Sequence, residues 1–200
     1  MDAEAQADFS VAILVGGQSR RMGQNKALLD VDGVPLLQRV IDPVRNLTND
    51  LFLVTNTPEI YRRFGVRMVG DVMPGKAALG GIYTALLTAR HEWVFLLACD
   101  MPKLDPNVIT FLAEHRVGVD VVTPRIESHP ETLHTFYRQS CRSLIKPRLT
   151  ANELRVTDVY AEARVCYVDQ TMLAQVSDNF NFLINLNTLA DLADWRQSDP

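Results

Sequence analysis

The chain has 200 residues, 47% of them hydrophobic and 22% charged, which is ordinary globular composition with enough length to bury one large α/β core. A formal net charge of −4, with no run of Lys or Arg, argues against nucleic acid as a partner while leaving room for a small basic phosphate site. The longest unbroken apolar run, residues 93–99, is far shorter than the ~18 residues of a membrane helix, so no membrane association is expected.

Residues 1–10 are acidic and polar, without a basic stretch ahead of an apolar one, and are expected to be a flexible tail rather than a signal peptide. Cys99, Cys141 and Cys166 are odd in number and widely spaced, which suits a reducing cytoplasm and argues against structural zinc. Residues 11–15 form a β-rich apolar run ending at Gly16-Gly17, which predicts a buried strand entering a loop. Residues 35–44 place Leu36, Leu37, Val40, Ile41 and Val44 at helical spacing, with Pro35 at the start. Strands are predicted over 51–55 and 66–69, a helix over 81–90, and over 93–98 the strongest strand of the chain. A helix over 107–114 and an extended segment over 119–123 follow. This alternation predicts βαβ units and a mostly parallel central sheet covered on both faces, a three-layer α/β/α, Rossmann-like arrangement. Later, 132–137 alternates, 144–163 reads as helix in two pieces, 164–168 as strand, and Thr188 as the cap of a last helix through Trp195. No linker divides the chain, so residues 11–200 are expected to be one domain.

The segment from Leu14 and Val15 through Gly16, Gly17, Arg20, Arg21 and Gly23 to Lys26 follows a strand and combines three glycines with three cations. Glycine lets the backbone approach a ligand, and successive exposed N–H groups make an anion-binding nest. Arg supplies a fork of donors to phosphate, and Lys a point charge. Neither the P-loop nor the dinucleotide glycine spacing is present. Asp100 follows the apolar run before Met101-Pro102, where the open α/β architecture collects ligands, and one or two carboxylates with substrate phosphates suit magnesium. Asp71, after 66–69, is a weaker case of the same kind. Cys99 reads as a small core residue, and His129 and His134 are general-base candidates only if geometry places them.

With these residues in place, the chain resembles the molybdenum cofactor guanylyltransferases, the MobA-like nucleotidyltransferases. Its opening loop is similar to their L-A-G-G-x-S-x-R-M-G-x-D-K signature, Leu79-Gly80-Gly81-Ile82 to G-P-L-x-G-I, and Cys99-Asp100-Met101-Pro102 to C-D-x-P. His129-Pro130 resembles a short H-P element, and Asn185-Leu186-Asn187-Thr188 resembles N-I-N-T near their C-terminus. The resemblance implies that Leu14, Val15 and Gly16 hold the guanine and ribose end while Gly17 and the rest of the loop wrap the phosphates. It implies Lys26 on the phosphates, Asp71 and more loosely Asn56 on the nucleoside, Asp100 on Mg2+, and Asn185 and Asn187 near the acceptor. GTP and molybdopterin are the implied substrates, and proteins of cofactor biosynthesis or a receiving molybdoenzyme the implied partners. Asn25 stands where the family has Asp, Ala77 and Ala78 where it has Gly and Pro, and Leu189 and Ala190 where it has Pro and Glu.

The implied reaction is attack of the acceptor's terminal phosphate on the α-phosphorus of GTP, with Arg20, Arg21 and Lys26 offsetting charge on departing pyrophosphate. The resemblance of Gly16-Gly17 to the family's L-A-G-G, rather than to the L-A-A-G that goes with cytidylyl transfer, implies GTP over CTP. Two alternatives stand beside this expectation: a cytidylyl or sugar-phosphate nucleotidyltransferase, and a non-catalytic nucleotide-binding or cofactor-delivery protein.

Overall fold

The computed structural model describes residues 8–16 and 25–198. Ten strands and eight α-helices are found among them. In chain order they begin with β1 (Phe9–Leu14), the short hairpin β2 (Asp30–Val31) and β3 (Val34–Pro35), α1 (Leu36–Val44), β4 (Leu51–Val54), α2 (Pro58–Tyr61) and β5 (Arg67–Val69). Then come α3 (Ala77–Thr88), β6 (Trp93–Ala98), α4 (Pro106–Glu114), β7 (Val121–Ile126), β8 (His129–Pro130) and β9 (His134–Arg138). The chain ends with α5 (Arg142–Ala151), α6 (Thr157–Tyr160), β10 (Val165–Asp169), α7 (Gln170–Leu173) and α8 (Leu189–Ser198).

The central sheet has the order β10-β7-β9-β6-β1-β4-β5, with β8 paired on β7. β1 is parallel to β4 and β6, β4 to β5, and β10 to β7; β9 runs antiparallel between β6 and β7. The chain passes from β1 to β4 and β5 on one side, then returns through α3 to lay β6 on the other side of β1. That reversal makes β1 and β6 the switch point of the sheet, and in open α/β sheets ligands collect at the carboxyl ends of the strands flanking such a point.

Side-chain alternation along β1 explains the layers. Val11 and Ile13 enter a core shared with Leu37, Val40 and Ile41 of α1 and Val108, Ile109 and Leu112 of α4. Ala12 faces the opposite core, with Leu79, Ile82 and Leu86 of α3 and Ile145 and Leu149 of α5. Each such aliphatic side chain, removed from water on folding, contributes about 1.5–3 kcal/mol. At the amino-terminal edge, Asp50 is 1% exposed and ties three elements together. Its carboxylate accepts from Ser10 Oγ at 2.6 Å, Arg67 at 2.7 Å and the Arg90 amide at 2.8 Å. Burial pushes this carboxyl up, but those donors outweigh burial and hold it below the ordinary range.

Several boundaries differ from expectation. β1 begins at Phe9, inside the segment 1–10 read as a tail, because Phe9 packs edge-on against Phe136, ring centroids 5.0 Å apart. α3 starts at Ala77 rather than residue 81, since Gly80 and Gly81 lie inside the helix against neighbouring chain. The helical stretch near 144–163 does break in two, at Asn152, whose φ of +60° ends α5 in a left-handed cap. Thr188 caps α8 as expected: its Oγ1 accepts from the Asp191 amide at 3.1 Å, and the Asp191 carboxylate accepts from the Thr188 amide at 2.8 Å. No helix among the described residues is long and apolar enough to cross a membrane.

Candidate active site

Strand register places the candidate residues in one row. Leu14 pairs with Val54 and with Ala98, and Val54 pairs with Val69. Two residues beyond these positions stand Gly16, Asn56, Asp100 and Asp71, all at the carboxyl edge of adjacent parallel strands. Parallel strands end level, so residues distant in sequence converge there.

The centre of the row is Lys26, on the 3-10 turn that follows the opening loop. Its Nζ donates to Asp100 Oδ2 at 2.6 Å and to Asn187 Oδ1 at 2.7 Å. Lys26 and Asp100 side chains are 12% and 18% exposed, so this ion pair is screened far less than a surface one. The Leu186 amide also donates to the Asp100 carbonyl at 2.9 Å, pinning the C-terminal segment across the end of β6. Trp195 of α8 secures that segment, packing with Val31, Leu36, Leu186 and Leu192 and donating from Nε1 to Asp32 Oδ2 at 3.0 Å. Asn25 shapes the turn: its Oδ1 accepts from the Ala27 amide at 3.2 Å while its Nδ2 donates to Tyr61 Oη at 2.8 Å. A carboxylate at position 25 could cap the turn but could not donate to Tyr61.

Asp71 belongs to a second group. Its amide donates to Asn56 Oδ1 at 2.8 Å, and its Oδ1 accepts from Thr84 Oγ1 at 2.7 Å and the Met73 amide at 2.9 Å. Thr84, buried in α3, thus orients Asp71; within an apolar helical pattern it carries no signal in sequence. Gly81 brings α3 against β1, since a Cβ there would lie 3.1 Å from a Leu14 methyl. Val15 is buried with its amide bonded to Val54 O at 2.9 Å, which leaves its side chain in the core, whereas Gly16 is exposed at the strand end. Asn185 turns its Nδ2 to the Leu183 carbonyl at 3.1 Å and does not join the Lys26 cluster. Gly17, Arg20 and Arg21 lie outside the described residues.

Two general-base candidates fall away. His134 is fully buried between Phe95 and Phe182, and burial pulls its pKa down to about 3, so it is a neutral core ring at physiological pH. His129 is exposed on β8. Burial, reinforced by the Asp100 charge, pushes the Cys99 thiol up to about 12, so it is no thiolate nucleophile. Like Thr84, Glu131 was missed in sequence; it is raised above the ordinary range by burial and then by the Asp100 charge. Its carbonyl accepts from Thr123 Oγ1 at 3.1 Å and from Thr135 Oγ1, and Tyr137 Oη donates to the next carbonyl, Thr132 O, at 2.9 Å. Among the described residues no group of three or more His, Cys, Asp or Glu side chains could enclose a metal. A cation here would need substrate oxygens as well, the usual pattern for magnesium.

A sequence model of the MobA-like NTP transferase domain matches residues 11–165. The probable molybdenum cofactor guanylyltransferase of Carboxydothermus hydrogenoformans is 35% identical over 184 residues, 92% of this chain and 93% of its own length. The solved structure of molybdopterin-guanine dinucleotide biosynthesis protein A from Archaeoglobus fulgidus superposes with a TM-score of 0.84 at 23% identity, covering 94% of this chain and 97% of that one. The 4-diphosphocytidyl-2C-methyl-D-erythritol synthase of Anaerococcus prevotii shares the fold at a TM-score of 0.68 and 13% identity, covering 94% and 98%.

Proposed function

This chain belongs to the MobA-like NTP transferase family of nucleotidyltransferases, and on that premise we propose that it transfers GMP from GTP to the terminal phosphate of molybdopterin, releasing pyrophosphate. The observation that carries the proposal is the convergence of Lys26, Asp100 and Asn187 at the end of β6, beside the exposed Gly16 and the Asn56–Asp71 pair. The family relatives named guanylyltransferases support GTP as donor and molybdopterin as acceptor.

The division of labour follows the row. Gly16 with the backbones of Leu14 and Val15 takes the guanosine end, and Asp71, with Asn56 behind it, holds the nucleoside. The loop through Gly17 carries the phosphates to Lys26, and Asn185 and Asn187 flank the acceptor. Asp100 is the magnesium ligand: its Oδ1 is buried with no hydrogen-bond partner among the described residues, and a buried ionised oxygen is stabilised by a hard cation. When bound, magnesium supplies positive charge to the phosphate oxygens.

The acceptor phosphate is already ionised and needs no general base, in keeping with the neutral core position of His134. Its oxygen forms a bond to the α-phosphorus as the bond to the β-phosphate oxygen breaks in line. Lys26, with Arg20 and Arg21, offsets charge on the leaving pyrophosphate. The protein's contribution is therefore positioning and charge stabilisation.

The test is pyrophosphate release by the purified chain with magnesium, comparing GTP and CTP with and without molybdopterin. Acceptor-dependent release with GTP is expected. Asp100→Ala should abolish it, and Lys26→Ala should slow it about 100- to 1,000-fold, the usual cost of losing one transition-state donor. Release with CTP alone would assign the chain to cytidylyl transfer, and GTP binding without release would make it a binding or delivery protein. Near-normal rates for Asp100→Ala would remove the metal assignment.

A further inference from the structure

Beyond Asp100, the carboxyl edge continues away from the proposed nucleotide side. β9 pairs His134 with Leu97 of β6, and the Ala98 amide donates to Leu133 O at 3.2 Å, which brings Glu131 level with Asp100. β7 points the same way as β6, since both are antiparallel to β9. Near its end Arg125 pairs in register with Pro130 of β8 and Asp169 of β10. Arg125 therefore occupies the same edge as Asp100, on the side opposite Gly16, Asn56 and Asp71.

The Arg125 guanidinium carbon lies 4.7 Å from the centre of the Tyr167 ring, and its Nε is buried with no hydrogen-bond partner. Among the described residues no carboxylate lies within ion-pair distance of it. Arg116 and Arg148 also bury one unpartnered nitrogen, yet each holds a carboxylate: Asp8 for the first, Glu153 and Glu162 for the second. Two acids on the same edge each engage one oxygen elsewhere. Asp169 caps α7, accepting from the Thr171 and Met172 amides at 3.0 and 3.1 Å, and Glu131 Oε1 accepts from the Leu133 amide at 3.2 Å. A guanidinium backed by an aromatic face is pre-organised, and its planar donors match a phosphate two at a time. A buried donor without a partner calls for an explanation, and for an arginine that holds no carboxylate an anionic ligand supplies one.

We propose that Arg125, stacked on Tyr167, is the binding residue for the anionic phosphate of the acceptor. The inference rests on the nucleotidyl-transfer reading, which places the nucleotide over β1, β4 and β5 and so leaves the β7 side of Asp100 to the second substrate.

Equilibrium dialysis of molybdopterin and, separately, GTP against the wild-type chain, Arg125→Gln and Arg125→Lys tests it without requiring turnover. Arg125→Gln should weaken molybdopterin binding about 10- to 100-fold, the usual range for a charge-assisted contact, while GTP affinity stays within about twofold. Arg125→Lys, which keeps the charge but loses the fork, should fall between, and it serves as the reporter if the Gln variant does not fold. Unchanged molybdopterin affinity in a folded variant overturns the inference, as does an equal loss for GTP. A wild-type chain that binds no molybdopterin removes the proposed acceptor instead. Arg125 is then judged with inorganic phosphate at saturating GTP: binding weakened in Arg125→Gln supports the inference, and unchanged binding refutes it.

Discussion

Two adjacent glycines in α3 offer a sharp test of how the site is built. In an unconstrained helix interior, Gly→Ala gains about 1 kcal/mol. At Gly80 the added Cβ would lie 2.7 Å from the Met73 carbonyl oxygen, 3.0 Å from Lys76 Cβ and 3.4 Å from Asp71 Oδ2. The first contact is with backbone, so the turn joining Asp71 to α3 must move by roughly half an ångström, an overpacking that costs about 1–3 kcal/mol. The balance for Gly80→Ala is a net loss of about 1 kcal/mol, or a melting temperature lower by about 3 °C. At Gly81 the nearest atoms to the Cβ would be the Leu14 methyls, at 3.1 and 3.2 Å, which can yield by tenths of an ångström. Gly81→Ala should therefore be neutral within about 0.5 kcal/mol. Because the displaced turn carries Asp71, GTP should bind Gly80→Ala about tenfold more weakly, with Gly81→Ala near wild type. Thermal melts and GTP dialysis on both variants decide the matter. A stabilised Gly80→Ala, or equal damage from the two substitutions, would refute the packing argument.

His134 and Ala77 make further predictions. The folded-state pKa of His134 is about 3 through burial, against an ordinary value of 6.5. Between those values the unfolded chain binds the extra proton, so this residue's contribution falls as pH drops below 6.5, by up to about 1.4 kcal/mol per pH unit. His134→Phe, which also removes two unpartnered ring nitrogens, should gain about 1 kcal/mol at neutral pH and flatten that acid loss in pH-dependent denaturant melts. An unchanged pH slope would count against it. Ala77 has a φ of +50°, the left-handed region that disfavours a Cβ, so Ala77→Gly should raise stability by about 0.5–1 kcal/mol. A lowered melting temperature would show that the turn is not strained.

The strands that carry the site were legible because each is a β-rich apolar run that stops at a polar or glycine residue, as at Leu14-Val15-Gly16 and Ala98-Cys99-Asp100. The β2–β3 hairpin was not, since two-residue strands carry too little pattern, and neither was the burial of His134, because a titratable ring in an alternating segment reads equally well on either face of the sheet. The opening-loop cations at positions 20 and 21 remain sequence expectations.

Sequence alone determined the longer strands and helices, the glycine-rich loop and the carboxylates after the strands, because local propensity and hydrophobic period are properties of neighbouring residues. Only the tertiary structure decided who meets whom. Lys26 reaches Asp100 across 74 residues and Asn187 across 161, and Arg125 faces Tyr167 with no acid among the described residues in ion-pair distance. Those meetings depend on the strand order, with β1 between β4 and β6 and β9 inserted antiparallel beside β7, which long-range packing selects and no local stretch of chain encodes.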